Sequence, residues 1–248
     1  RYIGGEIGSV VKDWSGVQVK VALCFPDVYE IGMSHLGLRI LYDILNKRVD
    51  CLAERVFAPW TDMEERMRAA KMPLFSLESR RPVRDFDLLG FSLPYELCYT
   101  NVLNVLSLAG MPLFAAERDA SFPLVIAGGA SCMNPEPMAD FIDAFVIGEA
   151  EEALVEVVDA YRSWRQGASG AKAELLARLS RVPGVYVPAL YKPPARIVKR
   201  YARDIEKVLD IDRWIVPFIE IVHDRIGVEI MRGCPGACRF CQARSCFY

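Results

Sequence analysis

Three cysteines fall within eight residues, Cys234-Pro235-Gly236-Ala237-Cys238-Arg239-Phe240-Cys241, separated by three residues and then two. Cysteine fills 8 of 248 positions, so three cysteines at this specified spacing are expected by accident about 0.008 times in the chain. Thiolates are soft ligands for iron or zinc. A glycine-containing loop lets three of them converge while its N–H groups face the sulfurs of a cluster. The competing reading is a four-thiolate zinc site completed by Cys246, although structural zinc sites usually come as two separated pairs. The other cysteines, Cys24, Cys51, Cys98 and Cys132, are scattered. Cys24 and Cys98 lie near expected strand ends but are too isolated for a second cluster, and they read as buried structural thiols. Crowded thiols without a secretory signal point to a reducing compartment, so the expected location is cytoplasmic.

Aromatic Phe240 stands directly before the last cysteine, and an apolar run at 228–231 ends just before the first. With these neighbours the Cys-x3-Cys-x2-Cys spacing resembles the signature of the radical S-adenosylmethionine (SAM) enzymes. The resemblance implies that Cys234, Cys238 and Cys241 each bind one iron of a [4Fe–4S] cluster, whose fourth iron is open to the amino and carboxylate groups of SAM. An electron from the reduced cluster, supplied by a donor such as flavodoxin or ferredoxin, would then cleave the sulfonium to methionine and a 5′-deoxyadenosyl radical that abstracts hydrogen from a substrate. Phe240 would pack near the adenine; an ordinary core aromatic is the plainer reading. Arg232, Arg239 and Arg244 would lower the cost of an anionic cluster, or simply form a solvated loop face. Cys246 lies outside the motif and reads as a packing cysteine. In this family the motif fills the first loop of a partial TIM barrel. The rest of that barrel, on the order of 200 residues, is therefore expected beyond Tyr248, and the chain alone is expected to be inactive.

The elements that must position this loop follow from the apolar pattern. After an extension over 1–18, residues 19–25 form a nearly continuous apolar run that stops at Pro26-Asp27, as a buried parallel strand does. Leu36, Ile40, Leu41, Ile44 and Leu45 share one helical face, with Ser34 as the expected N-cap. Strands are expected at 52–57, 88–92, 124–127 and 144–147. Helices are expected at 61–70, from a Thr-Asp cap, and at 101–109, closed by Gly110. A further helix carries the stripe Ala153, Leu154, Val157, Val158 and Tyr161, with Glu149, Glu151 and Glu152 in its first turn, where the helix dipole favours them. Five strands alternating with helices predict an α/β, flavodoxin-like (Rossmann-type) parallel sheet in the order 2-1-3-4-5 over 19–165. A polar stretch, Gln166-Gly167-Ala168-Ser169-Gly170, opens a connecting subdomain over 166–216. It is expected to hold a helix at 172–179 and strands at 184–190 and 196–201 around Pro193-Pro194. Residues 217–248 would start the radical SAM domain, with strands at 218–222 and 228–231.

A flavodoxin-like domain ahead of this motif resembles the radical SAM subfamily with an N-terminal cobalamin-binding domain. Cobalamin domains carry Asp-x-His-x-x-Gly, then Ser-x-Leu, then Gly-Gly. Here Asp27-Val28-Tyr29-Glu30-Ile31-Gly32 keeps the aspartate and glycine and places Tyr29 where the cobalt-ligating histidine stands. Ser92-Leu93-Pro94 keeps the serine, and Gly128-Gly129 matches the third motif. The resemblance implies that Asp27, Tyr29, Gly32, Ser92, Gly128 and Gly129 line a crevice at the carboxyl ends of the strands, where open α/β sheets bind ligands. Tyr29 leaves two readings: cobalamin bound with no histidine on cobalt, or a fold that has lost the cofactor. His35 is the nearest other imidazole and reads as a helix-cap or surface histidine rather than a ligand. Gly148-Glu149-Ala150-Glu151 resembles a Gly-Glu turn common in the subfamily; its plain reading is a charged first helical turn.

Composition sets the outer bounds. Apolar residues make up 52% and charged residues 25% of the chain, and 30 basic against 32 acidic side chains leave a net charge of −2. That balance gives no general attraction to nucleic acid or to an acidic membrane. No apolar run approaches the 18 or so residues of a membrane span, and Arg1-Tyr2-Ile3-Gly4-Gly5 is not a signal peptide. The missing initiator methionine points to a start inside a longer protein or after processing. A non-enzymatic iron–sulfur or zinc protein with an α/β interaction module is the competing class. No residue reads as a substrate acid or base, and the substrate is left unknown.

Overall fold

The computed structural model describes residues 1–167, 170–191, 196–203, 211, 214–236 and 238–241. Its centre is a sheet of six strands: β1 (Val19–Phe25), β2 (Cys51–Phe57), β3 (Leu88–Ser92), β4 (Leu124–Gly128), β5 (Ala144–Val146) and β6 (Val185–Tyr186). The order is β2-β1-β3-β4-β5-β6. The first five strands are parallel, in the order the sequence predicts. β6 pairs antiparallel with β5 through Phe145–Tyr186 and Val146–Val185. The first strand expected beyond the linker thus extends the main sheet.

Period-two alternation sends neighbouring residues of each strand to opposite faces, and both faces are covered, which is why these strands read as unbroken apolar runs. Val19, Val21, Leu23 and Phe25 of β1 pack with Leu38, Tyr42 and Leu45 of α2 (Leu36–Lys47) and with Leu154, Val157 and Val158 of α5 (Ala150–Arg165). Ala22 and Cys24 face the other way. They join Met67 of α3 (Thr61–Ala69) and Val102, Val105 and Leu106 of α4 (Tyr99–Leu108). Among the described residues the remaining α-helices are the single turn α1 (Tyr29–Gly32) and α6 (Lys172–Leu179).

Several local expectations shift. His35, not Ser34, caps α2: its Nδ1 accepts from the Leu38 N–H at 3.3 Å, while the Ser34 hydroxyl donates back to the Glu30 carbonyl. The Thr-Asp cap of α3 is not used, since Trp60 holds the cap position without a side-chain bond. Asp62 and Glu64 still place negative charge in that first turn. The turn α1 falls inside a segment read only as a loop. Over 196–201 only Arg200 pairs, in a bridge with Gly148. The strands expected at 218–222 and 228–231 are absent. An extended apolar run becomes a strand only when neighbours take up its N–H and C=O groups in a ladder; the Val222 N–H reaches the Glu30 carbonyl at 3.3 Å, but among the described residues no ladder forms there, and Val222, Val228 and Ile230 are exposed. The expected turn at Pro193-Pro194 lies outside the described residues. Among the described residues no helix is long and apolar enough to cross a membrane.

Candidate functional site

β1, β3, β4 and β5 end along one edge of the sheet. Between their last residues and the starts of α2 and α5 opens a cavity of about 630 Å³. Ser92, Gly128 and Gly129 line it, together with Leu36, Ile40, Met133 and Leu154. Its remaining wall comes from far along the chain. Glu229, Met231, Arg232 and Gly233, the residues immediately before Cys234, close one side. The cysteine loop therefore begins at the mouth of the crevice.

The glycine at the end of β4 is a backbone requirement. Gly129 has φ 118°, and a Cβ there would lie 2.5 Å from the Leu93 carbonyl oxygen. Gly129→Ala is therefore expected to destabilise the domain by more than about 1 kcal/mol, measured by urea unfolding; a neutral result would mean that the loop after β3 moves aside freely.

Asp27, Tyr29 and Gly32 are not part of this lining. Asp27 accepts from the Val28 N–H at 2.8 Å and from the Tyr95 hydroxyl at 2.9 Å. Tyr29 is 3% exposed, packs edge-on against Phe57, and donates its hydroxyl to Glu6 at 2.8 Å. Burial first, and then the Glu6 charge, push its phenol well above the ordinary range. At Gly32 a Cβ would stand 2.3 Å from the Phe57 ring, so glycine lets α1 close onto the sheet. These three residues fasten the first loop to the core, and the structure separates them from the three that border the crevice.

His35 does border the crevice, with Nδ1 occupied by the Leu38 N–H. A neutral ring whose Nδ1 accepts carries its proton on Nε2. Burial lowers its pKa, so the unfolded state takes up the proton first. This stabilisation is complete above the unfolded pKa of about 6.5 and is lost as pH falls through the lower folded value. Unfolding free energy should therefore decline from pH 7.5 to 5.5, and His35→Asn, which preserves a capping side chain, should flatten that slope; an unchanged slope would remove His35 as its source.

The motif cysteines contrast with the others. Cys234, Cys238 and Cys241 are exposed, whereas Cys24, Cys51, Cys98 and Cys132 are buried. Burial raises the Cys24 and Cys98 thiols and pushes Cys51 and Cys132 up to about 12, which keeps all four protonated and inert. A Cβ placed on Gly236 would lie 3.3 Å from the Cys234 sulfur and 3.6 Å from the Cys238 sulfur. Two thiols therefore flank a glycine that leaves room between them, and the Cys241 N–H turns back onto the Cys238 carbonyl at 3.2 Å. Soft donors around a side-chain-free position suit an iron–sulfur cluster. Among the described residues no three His, Cys, Asp or Glu side chains yet close on a metal-sized point. Phe240 is 93% exposed and is not a core aromatic of these residues. Arg244 and Cys246 lie outside the described residues.

Arg232 is not on a solvated face. Its guanidinium pairs with Glu149 at 3.3 Å, Glu151 at 2.5 Å and Glu229 at 2.6 Å. Nothing in the spacing of these residues announces the contact, because Glu149 and Arg232 are more than eighty positions apart.

A doubly wound sheet that hands its C-terminal crevice to a three-cysteine loop defines a class, the N-terminal part of a radical SAM protein. The family described as "Radical SAM proteins, N-terminal" matches residues 37–188, more than half of the chain, and the chain belongs to that family. The matched span runs from α2 through β6 and stops before the cysteine loop. Over 233 residues the chain is 25% identical to the uncharacterized protein MJ0966 of Methanocaldococcus jannaschii, covering 92% of this chain and 42% of that one. It thus spans less than half the length of this curated relative. A solved structure of the radical S-adenosylmethionine methyltransferase TsrM from Kitasatospora setae, with tryptophan substrate and a SAM analog bound, is similar at a TM-score of 0.39 and 15% identity, over 67% of this chain and 28% of that one.

Proposed function

We propose that this chain is the N-terminal portion of a radical SAM enzyme, in which Cys234, Cys238 and Cys241 hold a [4Fe–4S] cluster above the crevice of the α/β domain. The observation that carries the reading is the approach of the loop: Glu229, Met231, Arg232 and Gly233 wall the crevice and lead directly into Cys234. When bound, the cluster would supply an open iron for SAM and pass on a donor's electron for its reductive cleavage to methionine and a 5′-deoxyadenosyl radical. The chain's own residues provide three accessible thiols, the space at Gly236, and a largely apolar crevice at the sheet edge. The exposed loop also leaves a route for an electron donor of the flavodoxin or ferredoxin kind.

The same crevice suits the nucleotide tail of cobalamin, with Ser92 offering a hydroxyl and Gly128-Gly129 offering bare backbone. Cobalt would take no ligand from Tyr29, whose hydroxyl is committed to Glu6, nor from His35, whose Nε2 carries the proton. Cobalamin bound to the full-length protein is therefore expected to keep its absorption spectrum unchanged in His35→Asn; a spectral shift would assign the imidazole to cobalt.

The deciding experiment is anaerobic purification and reconstitution of the full-length protein, followed by iron analysis and low-temperature electron paramagnetic resonance with and without SAM. About four irons per chain and a spectrum that changes on adding SAM are expected. Zinc without iron, or a cluster indifferent to SAM, would return the chain to the non-enzymatic class.

A further inference from the structure

The first turn of α5 and the segment before the cysteines meet in one charged cluster. Arg232 keeps 15% of its side chain exposed and spends its guanidinium on Glu149, Glu151 and Glu229. Glu229 is three residues away in sequence and moves with the same segment. Glu149 and Glu151 belong to the sheet domain, at the N-terminus of α5, where the helix dipole already favours negative charge. Their backbone is fixed from below: the Glu149 N–H donates to the Arg200 carbonyl at 3.0 Å, and Gly148 carries φ 108° against the same residue. Arg232 is two residues from Cys234, with Gly233 at φ 87° as the turn between them.

We propose that Arg232 is a positioning residue for the cluster loop, clasped by Glu149 and Glu151 so that the α/β domain sets where Cys234 stands over the crevice. The inference rests on the cluster reading given above. A half-buried guanidinium shared among carboxylates is oriented by its planar fork, which fixes direction as well as distance. A lysine would keep the charge and lose the fork. The clasp also has one unused contact. Among the described residues Glu151 Oε2 is buried without a hydrogen-bond partner, so there the carboxylate that holds Arg232 keeps an open acceptor beside the cavity.

The test compares full-length wild type, Arg232→Gln, Arg232→Lys and Glu149→Gln/Glu151→Gln. Hydrogen exchange of the cluster-free proteins reads the clasp without any cofactor. The amides that tie this segment to the sheet domain, Val222 on the Glu30 carbonyl and His223 on the Ser34 hydroxyl, are expected to exchange at least threefold faster in Arg232→Gln and in the double carboxamide, with α4 unchanged. Adding Arg232→Gln to the double carboxamide should cost less than a further twofold, because the partners are already gone. In the reconstituted proteins iron per chain should stay at the wild-type value, while the SAM concentration needed to shift the resonance spectrum rises about tenfold in Arg232→Gln and less in Arg232→Lys. Unchanged exchange in Arg232→Gln would overturn the clasp. Faster exchange with an unaltered SAM response would reduce Arg232 to a structural ion pair and overturn the positioning role. A wild-type protein that loads no iron would overturn the cluster reading instead, and the exchange data would then still decide whether the clasp exists.

Discussion

Cys238→Ala in the full-length protein is expected to abolish iron loading while leaving the α/β domain as stable as before. Cys238 is exposed and lies outside both halves of the core, so its loss should move unfolding by no more than about 0.5 kcal/mol. Its sulfur flanks Gly236 with that of Cys234, and two thiolates cannot replace three when one iron must stay open. Iron should fall from about four per chain to below one, with no 5′-deoxyadenosine formed from SAM. Cys24→Ser supplies the inverse result. Its fully buried thiol would become a hydroxyl without a partner, costing about 1–3 kcal/mol, while iron loading is retained. Iron retained in Cys238→Ala, or lost in folded Cys24→Ser, would place the cluster elsewhere.

The sheet was legible because its strands are covered on both faces. Runs such as 19–25 and 88–92 stay apolar throughout and end at turn residues, and the helices between them require right-handed crossovers that restrict strand order. The cysteine spacing was legible because it is local. What escaped depends on distance in sequence. Tyr29 occupies the position where a cobalt ligand would stand, but its destination is set by Glu6 on the N-terminal segment, 23 residues away. Ser34 and His35 are both able to cap α2, and only the closed turn of α1 decides between them. Arg232 looked like one of several loop cations until the sheet brought Glu149 and Glu151 beneath it. The run at 228–231 has strand composition, yet composition does not supply a neighbour to pair with.

The largest loss of stability is expected from a residue that the sequence disguises most. β2 is an edge strand that carries Glu54 and Arg55, and an edge with two charges reads as solvated. All seven residues are instead buried, because the segment around Leu77 and the N-terminal extension lie across it. Arg55 is 1% exposed; its Nη2 donates to Glu6 at 2.8 Å and its Nε to Glu78 at 2.7 Å. Glu78 also accepts from the Arg55 backbone N–H at 2.8 Å, and Tyr29 adds its bond to Glu6. Burial pushes Glu6 up, but the hydrogen bond and charge of Arg55 outweigh it and hold that carboxyl below its ordinary value. At Glu78 burial wins and the carboxyl is raised. Arg55→Met would keep the volume and leave two buried carboxylates with no cation, an expected cost of about 3–5 kcal/mol near pH 7.5. Without the guanidinium both carboxyls should titrate above their unfolded values, so the folded state takes up protons more readily than the unfolded one. Stability of the variant should therefore recover as pH falls toward 5, and the gap to wild type should narrow. Adding Glu6→Gln and Glu78→Gln should restore more than half of the loss at pH 7.5, because the stranded charges are then gone. Urea unfolding at both pH values measures each step. A loss below about 1 kcal/mol, or one that does not change with pH, would mean that water reaches these carboxylates and that Tyr29 and the first loop are held by packing alone.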